Sequence, residues 1–106
     1  IISSNTSQRK EFINYFSNQN IQIEEAVDGV DAIFVVRRCM HETYSVMAVV
    51  IDYHMTNLSG PIVAQEIRSM GYMGKIIGVL SVESSVDKEI FINHGVNDVI
   101  IEPINY

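Results

Sequence analysis

Ser45-Val46-Met47-Ala48-Val49-Val50-Ile51-Asp52 is the stretch on which the fold turns. Apolar residues follow one another without alternation, and a carboxylate ends the run. Such a run, rich in β-branched side chains, predicts a strand over 45–51 with both faces buried. That strand belongs in the middle of a parallel sheet. Polar, loop-forming residues follow from Tyr53 to Ser59. Gly60-Pro61 then opens a helix, with proline in the first turn, where its missing N–H has no partner to lose.

Outward from this centre the elements alternate. The helix from Gly60 runs to about Ser69, and Gly71 closes it. A second buried strand is predicted over 75–80. A helix over 84–94 carries Val86, Ile90 and Phe91, with Gly95 beyond its end. A last strand covers 98–101, followed by Glu102-Pro103. Toward the start of the chain, a helix over 30–40 places Ile33, Val36, Arg37 and Met40 at helical steps, after the Asp28-Gly29 turn. Ile21, Ile23 and Ala26 predict a strand over 21–27. Phe12, Ile13, Tyr15 and Phe16 predict a helix over 7–18, preceded by the N-cap types of Ser3-Ser4-Asn5-Thr6-Ser7. Ile1-Ile2 reads as the end of a strand. Strands separated by helices of this length imply an α/β fold with right-handed crossovers and a parallel sheet. Ligands of such sheets bind outside the carboxyl ends of the strands. The residues there are Ser3, Ser4, Asp28, Asp52, Leu80, Ser81 and Glu102.

Bulk properties narrow the functions. The 106 residues make one domain, 1–106, and the start at Ile1 suggests a piece of a longer protein. Seven basic against thirteen acidic residues give a net charge of −6, which argues against a nucleic-acid partner. No apolar run approaches membrane-spanning length, and no signal-peptide pattern is present. The lone Cys39 allows no internal disulfide and reads as a helix residue. A reducing, cytoplasmic setting is compatible with it. No Cys/His spacing matches a zinc site.

Asp52 is the sharpest chemical feature. A carboxylate at a strand's carboxyl end either caps a turn, acts as a nucleophile toward a phosphoryl donor, or ligates a metal. The His54 side chain reads as a solvated loop residue, and His41 and His94 have no assigned role.

Four stretches carry a resemblance. They are Ser3-Ser4-Asn5-Thr6-Ser7-Gln8-Arg9, Glu25-Ala26-Val27-Asp28-Gly29-Val30-Asp31-Ala32, the segment from Val49 through Asp52 and His54 to Gly60, and His94-Gly95-Val96-Asn97-Asp98-Val99-Ile100-Ile101-Glu102-Pro103. In this order and at these distances they resemble the response-regulator receiver (CheY-like) domains of two-component signalling, over all 106 residues. The resemblance implies a flavodoxin-like, doubly wound, five-stranded parallel sheet of order 2-1-3-4-5. It implies Asp52 as phosphoacceptor, Mg²⁺ as cofactor, and a cis bond before Pro103.

The departures from the family are specific. Its acidic pair, which holds Mg²⁺, falls on Ser3 and Ser4, so cation affinity should drop. Its lysine falls on Glu102, an anion beside the acceptor. Its hydroxyl falls on Leu80 or, with a slip of one position, on Ser81. Its switch aromatic falls on Val99, and the proline of its acceptor loop on Thr56. Asp52 and Glu102 read two ways. With the His54 backbone carbonyl, water and the degenerate Ser4 position they form a cation site, or they share a proton as a coupled pair. The family's fifth helix is missing or lies beyond the chain end, so part of one sheet face should be open.

Two functions follow. One is a phosphorelay receiver that accepts a phosphoryl group on Asp52 from a histidine kinase or phosphotransfer protein. The other is a phosphorylation-independent pseudo-receiver, a protein-interaction or homodimerising module. Neither is an enzyme in the ordinary sense. A flavin binder or phosphatase on the same fold is disfavoured, because no Gly-rich phosphate loop or paired catalytic groups are present.

Overall fold

The computed structural model describes residues 1–42 and 46–106. Three strands, β1 (Ala48–Asp52), β2 (Lys75–Leu80) and β3 (Asp98–Ile101), form a parallel sheet in the order β1-β2-β3. Ile51 pairs with Gly78, and Gly78 with Val99. Four helices accompany them: α1 (Thr6–Ser17), α2 (Gly29–Met40), α3 (Gly60–Ser69) and α4 (Ser85–Asn93).

The helices begin where their caps dictate. Asn5 accepts a hydrogen bond from the Gln8 amide, Asp28 from that of Asp31, and Ser84 from that of Asp87. Gly71 and Gly95, with φ of 95° and 103°, turn the chain out of α3 and α4. Observed helix ends lie within a residue or so of the expected ones.

Two expected strands are corrected. Ile2 makes parallel bridges to Ala26 on one side and Ile51 on the other, but neither 1–2 nor 21–27 forms a ladder. Around the bridge, the Ala26 N–H donates to the Ile1 carbonyl, the Ser3 N–H to the Ala26 carbonyl and the Ile1 amine to the Glu24 carbonyl. The strand expected over 45–51 in the middle of the sheet lies at the edge of the three-stranded sheet and starts later than expected. Val46 and Met47 precede β1, because Ala48 is already opposite Lys75, the first residue of β2. Ser45 lies outside the described residues.

One face of the sheet carries the main core. Helix α2 packs on α3, and α3 on α4, over Val49, Ile51 and Ile76 of the strands. Val63, Ala64, Ile67 and Phe91 are fully buried there. Gly78 has no side chain because the Phe91 ring takes its place: a Cβ would meet Phe91 Cδ2 at 2.7 Å. Cys39 is buried in α2. Among the described residues, no helix is long and apolar enough to cross a membrane.

Elsewhere a groove of about 760 Å³ is lined by residues including Phe12, Phe16, Val50, Ile77, Ile100 and Ile104. Residues 102–106 are not helical, and the Glu102–Pro103 bond is cis. The tail lies on α1, where the Tyr106 ring stacks on Tyr15 at 4.6 Å and the Tyr15 hydroxyl donates to the Tyr106 carbonyl.

Candidate functional site

Asp52 ends β1 and is only 8% exposed. Its backbone is fixed from two sides. The Asp52 N–H donates to the Ile2 carbonyl, and Gly60 rests against the Asp52 carbonyl. A Cβ at Gly60 would fall 2.1 Å from that oxygen, so only glycine fits this close approach. The same glycine donates its N–H to the Tyr53 carbonyl at 2.7 Å, closing the loop between β1 and α3.

Ser3 is fully buried beside Asp52. Its N–H donates to the Ala26 carbonyl, and its carbonyl accepts from Arg9 Nη1 at 2.6 Å. Held in this way, Ser3 Oγ stands 2.5 Å from Asp52 Oδ2 and 2.7 Å from Gln8 Oε1. It also accepts from the Asn5 N–H at 3.0 Å. Gln8 is the one buried residue of α1. Its Nε2 donates to Glu102 Oε1 at 2.7 Å. A continuous hydrogen-bonded path therefore runs from Asp52 through Ser3 and Gln8 to Glu102.

The proton count of this path is informative. Ser3 has a single hydroxyl proton, yet a carboxylate oxygen and an amide oxygen both face it. With Asp52 ionised, one of these contacts has no hydrogen. With Asp52 protonated, every contact pairs a donor with an acceptor: Asp52 to Ser3, Ser3 to Gln8, Gln8 to Glu102. Exchanging the amide's nitrogen and oxygen gives the equivalent arrangement with the proton on Glu102. In both, one proton between the two carboxyls satisfies the path. The electrostatics agree, since the Asp52 carboxyl is pushed up to about 6. Burial is the main cause and Glu102 adds repulsion, while hydrogen bonds from Ser3 and Gln8 and the nearby His54 oppose the rise.

The other expected residues fall as follows. Ser4 Oγ donates to the Val27 carbonyl and accepts from the Thr56 N–H, so it ties two loops together. Leu80 is buried in β2, and its carbonyl accepts from the Glu102 N–H at 2.8 Å. Ser81 is the first residue past that strand and is exposed. The His54 side chain is exposed, its ring tilted against Tyr53. Asp28 caps α2 and accepts from Asn57 Nδ2, which makes it a loop anchor. Among the described residues, no three His, Cys, Asp or Glu side chains converge on a possible metal position.

Gln8 is the residue of this path that strand ends alone do not point to. A signal was present but pointed elsewhere. Asn5-Thr6-Ser7-Gln8 has the spacing of a capping box, in which Gln8 would reach back to the Asn5 N–H. Here Ser3 Oγ takes that N–H, and the Gln8 amide turns into the site.

No family model matches the chain, and no curated protein is similar enough to match. Solved structures do match. Vibrio cholerae chemotaxis protein CheY4 superposes with a TM-score of 0.87 at 16% identity, over 98% of this chain and 84% of that one. A chain of the co-crystal of the Saccharomyces cerevisiae phosphotransfer protein Ypd1 with the receiver domain of the response regulator Ssk1 gives 0.86 at 19% identity, over 98% and 77%. A chain of the Borrelia burgdorferi CheX–CheY–BeF3–Mg²⁺ complex gives 0.86 at 15% identity, over 98% and 76%. At these identities the likeness is one of fold. The fold is that of the CheY-like response-regulator receiver domains.

Proposed function

We propose that this chain, built on the CheY-like receiver fold, is a signalling module of a two-component system with Asp52 as its phosphoacceptor. On this reading residues 1–106 are a single cytoplasmic domain, and the bridges at Ile2 mark the first two positions of a 2-1-3-4-5 sheet. The observation that carries the proposal is the placement of Asp52. It is a carboxylate at the carboxyl end of the parallel strand β1, which has β2 on one side and the bridge to Ile2 on the other, with its backbone locked by Ile2 and Gly60. The donor would be a phosphohistidine of a histidine kinase or phosphotransfer protein. A carboxylate oxygen of Asp52 forms the P–O bond as the P–N bond breaks, and the leaving imidazole takes up a proton. The attacking form is the ionised one, so transfer should be faster above pH 6 than below it, given where Asp52 ionises.

The residues present do not fit the family's Mg²⁺ as they stand. Mg²⁺ binds through carboxylates and ordered waters in a strict octahedron. Here the acidic pair is replaced by two hydroxyls, both already hydrogen-bonded. Glu102 is joined to Gln8 instead. Charge stabilisation in this pocket therefore falls to the Ser3 hydroxyl and the Gln8 amide.

Glu102 favours a second reading. An anion at the lysine position repels a phosphoryl group, and the path from Asp52 to Glu102 is already satisfied by one proton. A pseudo-receiver that docks a protein partner, or a second copy, without phosphate is consistent with this.

Amide NMR during titration with beryllofluoride, first without and then with Mg²⁺, separates the two. Saturable shifts near Asp52, Ser4 and Ser81, abolished by Asp52→Asn, are the result expected of a phosphoacceptor. Spectra that stay flat up to millimolar ion would remove that role and leave the docking module.

A further inference from the structure

We infer that Gln8 is the positioning residue through which the state of Asp52 reaches the tail after β3. The inference gives Gln8 a signalling role only if Asp52 is the modified group proposed above, but the mechanical coupling stands on its own geometry.

The path is short. Asp52 Oδ2 touches Ser3 Oγ, Ser3 touches Gln8 Oε1, and Gln8 Nε2 holds Glu102 Oε1, all at 2.5–2.7 Å. Ser3 and Gln8 are both buried, so water does not compete for these contacts. Any event that takes Oδ2 away from Ser3 frees the hydroxyl proton to choose its acceptor. That proton then goes to Gln8 Oε1, so the orientation of the Gln8 amide, and with it the donor offered to Glu102, depends on Asp52.

The tail makes this consequential. It is fastened to α1 at both ends: Glu102 by Gln8 in the first turn, and Tyr106 by the Tyr15 stack and hydrogen bond further along the same helix. Phe12 and Phe16 complete the aromatic cluster, with ring centroids 6.3 and 6.1 Å from that of Tyr106. Residues 102–106 are therefore a strap across α1 whose inner buckle is an amide reporting on Asp52. Val99 offers no aromatic rotamer as an alternative readout on β3.

A double-mutant cycle by NMR tests the coupling without phosphate. Asp52→Asn alters the start of the path in the full chain, and amide shifts are read at Glu102, Ile104, Asn105 and Tyr106. The same substitution is then made in a Gln8→Met background, which keeps length and apolar volume but removes donor and acceptor. The expected result is that Asp52→Asn shifts the tail when Gln8 is present, and that this response is lost with Met at position 8, while shifts in the 53–59 loop persist in both. An undiminished tail response in the Gln8→Met background, or no tail response with Gln8 in place, overturns the inference. Should the Met variant fail to fold, Gln8→Asn serves in its place, polar but too short to span from Ser3 to Glu102. Beryllofluoride plus Mg²⁺ on the unmodified chain is the separate arm. Flat spectra there sink the phosphoacceptor reading, while the mutant cycle still decides the coupling.

Discussion

The carboxyl of Asp52 ionises near pH 6 in the folded chain, against an ordinary value of 3.8. The unfolded chain therefore gives up this proton first as pH rises. Asp52 stabilises the fold relative to its ionised form below about pH 4, and that contribution is lost between 3.8 and 6. Discounted for the solvent that reaches the pocket, the loss is roughly 1–2 kcal/mol. Asp52→Asn should accordingly stabilise the domain by about that amount near neutral pH, and by little near pH 4, as read from urea unfolding curves. A mutant no more stable at neutral pH would mean that the ionised carboxylate is well accommodated. Glu102→Gln removes the repulsion and should lower the Asp52 midpoint in a carbon-13 NMR titration. An unmoved midpoint would mean that the two carboxyls do not sense each other. Asp52, Ser3 and Glu102 were legible in the sequence because each directly follows an apolar run that marks a strand end. Gln8 was not, because its direction depends on which group takes the Asn5 N–H, a tertiary choice.

At the scale of elements, continuous apolar runs were the reliable signal. Residues 75–80 and 98–101 form strands as expected, the first paired on both sides and the second with β2. Residues 21–27 carried a weaker alternation and form one bridge, from Ala26 to Ile2. Arg68 shows a tie that no periodicity announces. From α3 it donates to the carbonyls of Gly95, Tyr72 and Gly74 and to Asn97 Oδ1, and it lies over the Tyr72 ring. One guanidinium thus holds the ends of α3 and α4 to the turns before β2 and β3. Arg68→Ala should cost roughly 2–4 kcal/mol, since several carbonyls lose a charged donor together. Arg68→Lys should recover little of it, because an ammonium cannot repeat the planar fork. Thermal unfolding of both variants checks this, and a fully stable lysine variant would show that charge alone suffices.

Taken whole, the molecule is lopsided. Helices α2, α3 and α4 bury one side of the sheet, while the groove past α1 leaves Ile77 and Ile100 only half-buried. What covers that face was not legible, since neither periodicity nor composition names a partner. Adjacent residues of β2 make the asymmetry measurable, because successive side chains of a strand point to opposite faces. Ile76 is fully buried and Ile77 is not. Ile76→Ala should lose about 3 kcal/mol, with a cavity left in packed surroundings. Ile77→Ala should lose about 1 kcal/mol, because much of the removed surface is already wet. Urea unfolding of the two variants at several protein concentrations is the measurement. Unequal losses, independent of concentration, are the outcome this geometry requires. Equal losses that grow with protein concentration would mean that a second copy covers the Ile77 face in solution, and that the groove is an interface rather than an open surface.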